Sequence, residues 1–144
     1  MRKQRSEIMT KLRYALPALA LLLAVSGCGG DPYGLSQVTG VVTMDGAPLP
    51  SAAVSFRPAS GRPAQGITDQ DGRYELIYIR DIRGAEQGAY TVSITTYREA
   101  SPDPVAGKPK PETIPARYNK QSTLTAEVES GANEINFDLT SSRK

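Results

Sequence analysis

The stretch QVTGVVTMDG, residues 37–46, decides how the chain is read. Val38, Val42 and Met44 alternate with Gln37, Thr39 and Thr43, Gly40 falls on the inward row, and Asp45-Gly46 ends the run with a turn signal. A period of two sends successive side chains to opposite faces of a strand, one face apolar and the other polar. The rhythm recurs downstream. Val54 and Phe56 alternate with Ser55 and Arg57, and Tyr90, Val92 and Ile94 with Thr91, Ser93 and Thr95. Tyr74, Leu76 and Tyr78 alternate with Arg73, Glu75 and Ile77, the last an interruption of the pattern. Leu124, Ala126 and Val128 alternate with Thr125, Glu127 and Glu129, and Ile135, Phe137 and Leu139 with Asn136 and Asp138. A weaker seventh strand fits Ala64 to Thr68, ahead of the turn Asp69-Gln70-Asp71-Gly72. No stretch after residue 37 has helical spacing. Short strands joined by Gly, Pro and Asp turns predict an all-β sandwich of about seven strands. Each inward apolar side chain contributes roughly 1.5–3 kcal/mol when fully buried, so the rows can offset the ordering entropy without a metal or disulfide.

Upstream the composition changes. Arg2, Lys3, Arg5, Lys11 and Arg13 stand against the single acid Glu7, and Tyr14 to Val25 is apolar throughout. A charged start, an apolar middle and a small-residue end mark a secretory signal, and this apolar run is shorter than the roughly 20 residues that cross a bilayer. Val25-Ser26-Gly27-Cys28 resembles the lipobox of bacterial lipoproteins, with valine where leucine is commoner. That resemblance implies cleavage after Gly27 and acylation of Cys28. The chain's single cysteine has no partner for an internal disulfide, and no histidine is present to activate it as a nucleophile. Two or three acyl chains, at about 0.8 kcal/mol per buried methylene, make a lasting anchor. Residues 1–27 form the expected signal, 28–36 a lipidated tether, 37–140 the domain and 141–144 a tail. The signal holds five of the 17 basic groups and one of the 15 acidic ones, leaving a net −2 on the mature chain. There is no electrostatic case for nucleic acid. Gly29, in the second position counted from Cys28, is not the aspartate that retains enterobacterial lipoproteins at the inner membrane, which favours an outer-membrane location in the cell envelope.

The residues Val38-Thr-Gly-Val-Val-Thr-Met-Asp-Gly-Ala-Pro-Leu-Pro-Ser-Ala-Ala-Val-Ser-Phe, Thr68-Asp-Gln-Asp-Gly-Arg-Tyr-Glu-Leu and Gly88-Ala-Tyr-Thr-Val-Ser-Ile resemble the carboxypeptidase regulatory-like domain. Ile114-Pro-Ala-Arg-Tyr-Asn and Asn136-Phe-Asp-Leu look like a subgroup of short bacterial lipoproteins that carry one such domain. The resemblance implies a transthyretin-like, Ig-like Greek-key sandwich. It implies no peptidase, because in carboxypeptidases the module stands beside the catalytic domain, and a fold alone supplies no chemistry.

Each candidate site has a plain alternative. Asp69, Asp71 and Gly72 suggest a calcium loop, yet the sequence runs on as Arg73-Tyr-Glu-Leu into a strand without the later ligands calcium needs. A turn in which Asp69 accepts from backbone amides is the simpler reading. Transthyretin-like hydroxyisourate hydrolases use histidines and a C-terminal Tyr-Arg-Gly-Ser; this chain has no histidine and ends Ser-Ser-Arg-Lys. No cofactor or metal is implied, no carboxylate pair stands out, and the first strand has no lysine for an isopeptide crosslink. Sugar binding wants exposed aromatic platforms, for which Tyr33, Tyr97 and Tyr118 remain, with Tyr78 undecided. Arg98 to Ser122 holds five of the 11 prolines and should run extended, outside the ladder. Arg117, Tyr118 and Asn119 close it and are the best patch for a partner; alternatively, Ile114 and Tyr118 fold back over one end of the sandwich. Arg80, Asp81, Arg83 and Glu86 read as a solvated hairpin tip. The expected function is a non-catalytic, membrane-anchored module for binding or structural interaction in the cell envelope, its partner an envelope protein, or alternatively a carbohydrate-binding module.

Overall fold

The computed structural model describes residues 33–103 and 107–142; the lipobox Val25 to Cys28, with the signal ahead of it, lies outside the described residues. The described chain is an all-β sandwich of two sheets. Its strands are β1 (Gln37–Met44), β2 (Ala47–Pro48), β3 (Ala53–Pro58), β4 (Ala64–Ile67), β5 (Arg73–Glu75), β6 (Ile77–Ile79), β7 (Ile82–Arg83), β8 (Gly88–Thr95), β9 (Leu124–Val128), β10 (Ala132–Glu134) and β11 (Phe137–Leu139). All seven strands expected from the alternation are present. The remainder are two short additions, β2 and β7, and two long strands that are each interrupted once.

The first sheet is built on β1. β10 and β11 run parallel to it in succession, and β5 and β2 pair antiparallel on its other edge. The second sheet has the order β7-β6-β4-β3-β8-β9. Its longest pairing, β3 with β8, matches Phe56 to Val92 and Val54 to Ile94. The inward rows meet between the sheets, where Val38, Val42, Val54, Phe56, Leu76, Val92 and Ile94 are wholly buried. Phe56 is the hub, with ring centroids 5.7 Å from Tyr90, 6.1 Å from Phe137 and 6.3 Å from Tyr74. On the edge strand β9 only Val128 is fully covered, while Leu124 and Ala126 are half-buried against the core.

Both interruptions have physical causes. Between β5 and β6 the chain changes sheets at Leu76: its amide donates to the Val38 carbonyl of the first sheet, and its own carbonyl accepts from Gly84 beside the second. Ile77, which breaks the alternation in the sequence, is therefore an outward residue of the second sheet and is 43% exposed. Between β10 and β11 the ladder is patched by a side chain, Asn136 Oδ1, which accepts from the Val41 amide at 2.7 Å. The Ile135 amide still reaches the Thr39 carbonyl, but its own carbonyl turns inward and accepts from the Tyr74 hydroxyl at 2.6 Å. Gly40 lies under that carbonyl. A Cβ there would stand 1.8 Å from the Ile135 oxygen and 2.9 Å from the Tyr74 ring. Burial pushes the Tyr74 phenol far above its ordinary value, so it remains a donor at any physiological pH.

Replacing Tyr74 by Phe should leave the core packed and the Ile135 carbonyl unpaired, lowering stability by about 1–3 kcal/mol in urea unfolding. Gly40→Ala should be the more damaging change, because its methyl group meets backbone that cannot move without unpairing the last strand. Equal stability of Tyr74→Phe and the parent would show that the carbonyl finds its donor elsewhere.

Candidate functional site

The aspartate turn after β4 is a closed backbone device. Asp69 Oδ1 accepts from the amides of Asp71 and Arg73, each at 2.9 Å, and the Gly72 amide returns to the Asp69 carbonyl at 3.1 Å. Gly72 sits at φ +73°, and a Cβ there would lie 2.5 Å from the Val42 carbonyl. The turn delivers the Gly72 carbonyl to the Val42 amide and so joins β5 to β1. Among the described residues no group of three or more His, Cys, Asp or Glu side chains is placed to hold a metal ion.

The proline-rich segment is fastened by a residue that the sequence reading passed over. Glu112 Oε1 accepts from the amides of Thr96 (3.0 Å), Thr113 (3.0 Å) and Ile114 (3.2 Å) and from the Thr96 hydroxyl at 2.7 Å, while its other oxygen accepts from the Thr95 hydroxyl. Burial opposes ionisation, but the hydroxyl and amide donors outweigh it and hold the carboxyl at about 2. Before it, Arg98 and Lys110 pair through both backbone bonds, so the segment doubles back on itself. After it, Ile114 is buried in the core and leads into a single 3₁₀ turn, Ala116–Tyr118.

Arg117, Tyr118 and Asn119 are brought together on that turn, and their polar atoms face the chain itself. The Arg117 guanidinium donates to the carbonyls of Thr140 and Ser142 and lies 4.7 Å from the centroid of the Tyr118 ring. The Tyr118 oxygen accepts from the Thr140 amide at 3.0 Å. Hydrogen bonds from the Thr140 hydroxyl and amide hold its phenol below the ordinary value. Asn119 Nδ2 donates to the Pro115 carbonyl at 3.3 Å, and its Oδ1 accepts from the Lys120 amide. Ile114 and Tyr118 thus fold back on the sandwich, the second arrangement considered above. Of the other tyrosines, Tyr33 and Tyr97 are 55% and 58% exposed. Tyr78 is half-buried and donates to Glu86 at 3.0 Å.

A second place emerges only in three dimensions. On the second sheet β6 lies beside β4, with Gln65 opposite Ile77, and an open groove of about 1260 Å³ runs along them. Ile67, Ile77, Ile79, Tyr78, Arg62 and Arg80 are among its lining. The charged tip read from the sequence is the end of the β6–β7 hairpin. There Arg83 is paired with Glu75 at 2.9 Å, and Arg80 turns the chain at φ +50°. The sequence signal for the groove was Ile77 itself, an apolar residue on an outward row.

No family model matches the chain, and no curated protein matches it. Among solved structures it is similar to a DUF3823 family protein from Parabacteroides merdae, at 18% identity and a TM-score of 0.43. That match covers 74% of this chain and 46% of the other, so the chain spans just under half the length of that protein.

The Glu112 clasp gives the segment a pH dependence whose sign follows from the shift. The folded carboxyl sits at about 2, below its ordinary 4.5, so its contribution is complete above 4.5 and disappears as pH falls through about 2. Protection of the Thr96, Thr113 and Ile114 amides, taken as the ratio of intrinsic to observed exchange rate at each pH, should fall over that window. In Glu112→Gln the same amides should exchange fast even at pH 7, and limited proteolysis between 98 and 122 should speed up; unchanged exchange would mean that Glu112 does not hold the segment.

Proposed function

We propose that the protein is a bacterial lipoprotein anchored through Cys28 in the cell envelope, its single carboxypeptidase regulatory-like, transthyretin-like domain serving as a non-catalytic module for binding or structural contact. The observation that carries this reading is the use the domain makes of its polar side chains. Asp69, Glu112, Arg117 and Asn136 all turn to the chain's own backbone and hold turns, the long segment and the sheet closure in fixed shape. Catalysis needs groups poised toward a substrate, whereas a binding module needs rigid loops on a packed scaffold. The lipobox supplies the second support, since Cys28 follows the charged start and the apolar run at the position where such chains are acylated.

Cells fed labelled palmitate should incorporate it into the parent chain and not into Cys28→Ser, and the serine variant should leave the membrane fraction. A free Cys28 thiol on the mature protein would overturn the anchor.

Carbohydrate binding is the second reading, and Tyr97 is the observation in its favour, an aromatic ring more than half exposed beside the clasped segment. It requires saturable glycan binding that is lost in Tyr97→Ala; a glycan array on which both proteins behave alike would exclude it.

A further inference from the structure

The groove on the second sheet is lined by two of the large hydrophobic side chains that the described residues leave in water, with a third beside it. Among the described residues four large hydrophobic side chains are exposed. Ile67 (68%) and Ile77 (43%) line the groove, and Tyr33 (55%) stands with its ring centroid 6.3 Å from that of Tyr78, another lining residue. Tyr33 thus borders the groove without lining it, and Tyr97 is not part of the lining. Ile79 extends the lining and faces Ile82 across the β6–β7 hairpin. Arg62 and Arg80 belong to the same lining. One acid, Glu75, also belongs to the lining and is paired with Arg83; of the acids nearby, Glu86 accepts from Tyr78 and Asp81 lies on the hairpin tip. A contiguous apolar surface rimmed by polar groups marks a place of contact.

The course of the chain names the occupant. Ser36 is fastened to Ala85, just past β7, by two backbone hydrogen bonds of 2.8 and 2.9 Å. Tyr33, held against Tyr78, is the first described residue and stands at the corner beside the groove. Cys28 is five residues before Tyr33, a span of at most about 17 Å. We infer that the face of the second sheet formed by β4, β6 and β7 docks on the lipid bilayer, with Ile67, Ile77 and Ile79 entering the boundary between headgroups and acyl chains and Arg62 and Arg80 reaching phosphate oxygens. This rests on the anchoring at Cys28 proposed above. So short a tether holds this face at high effective concentration against the surface, so that even a weak contact is populated. Arginine suits the rim, because its stem can lie along apolar surface while its planar fork pairs with phosphate. At the far edge of the same sheet, four strands from β6, β9 carries Thr125 and Glu127 outward with no isoleucine beside them, so lipid contact confined to the β4, β6 and β7 end leaves Thr125 in water.

The test uses the full-length chain purified from membranes and reconstituted in vesicles of phosphatidylethanolamine and phosphatidylglycerol. Ile67→Cys, Ile77→Cys and Thr125→Cys are each labelled with an environment-sensitive fluorophore; all three positions are exposed, so the substitutions leave the core intact. Mass spectrometry of the Cys28 peptide is run on the same samples. Docking requires blue-shifted emission at Ile67 and Ile77, quenched by headgroup-level nitroxide lipids several-fold more than at Thr125, and weaker quenching when Arg62→Glu and Arg80→Glu are combined. An acylated Cys28 with all three probes equally wet would overturn the docking and leave the anchor standing. A Cys28 without lipid would overturn both. A blue shift without lipid quenching that grows with protein density would assign the face to a second copy of the chain and also overturn the docking.

Discussion

One inward-turned carbonyl, that of Ile135, ties the two ends of the domain together. A strand carbonyl that leaves its ladder must find another donor, because burying it unpaired costs about as much as a whole hydrogen bond contributes. Tyr74 supplies that donor from β5, and Gly40 in β1 supplies the space. Three strands remote in sequence meet at this point. The last strand then continues as β11, where Phe137 and Leu139 close the core, and its end presents Thr140 to Tyr118 and Arg117. Tyr74 also precedes Leu76, the residue at which the chain passes from one sheet to the other. The same short segment therefore closes the first sheet and delivers β6, and with it the groove, to the second.

The two outer faces that result are chemically unlike. The first sheet shows water a polar surface knit by side-chain bonds, such as Thr43 to Asp138 at 2.7 Å and Gln37 to Glu75 at 3.3 Å. The second carries isoleucines at its β6–β7 end and hydroxyls toward β8. An isolated domain has no use for that asymmetry, since exposed branched side chains weaken solubility and contribute nothing to the core. The tether proposed at Cys28 would give it one, because it would restrict the orientation of the domain at the surface.

Most of the fold was legible because period two is a direct image of a half-buried strand. Val38 to Met44, Val54 to Phe56, Tyr90 to Ile94 and Phe137 to Leu139 fall where their alternation puts them, and Gly40 sits on the inward row for a reason that only Ile135 explains. Ile77 looked like an error in the pattern. It is correct for the second sheet and wrong only for the first, and nothing local announces the change of sheet at Leu76. Glu112 was invisible because its donors Thr95 and Thr96 lie 16 or 17 residues away and become neighbours only when the segment doubles back. Arg117 to Asn119 were legible as a group. Their direction was not, because it depends on the carbonyls of Thr140 and Ser142 arriving from the far end of the chain.

Native-state amide hydrogen exchange along residues 37–44 and 132–139 is the most direct measurement of this closure. If the Tyr74 to Ile135 contact locks the ends together, the amides of Ile135 and Val42 should exchange only through global unfolding, with the same free energy and the same denaturant dependence as those of the buried β3–β8 pair. Exchange of the last strand through a separate opening of low free energy, with β3 and β8 still protected, would contradict it.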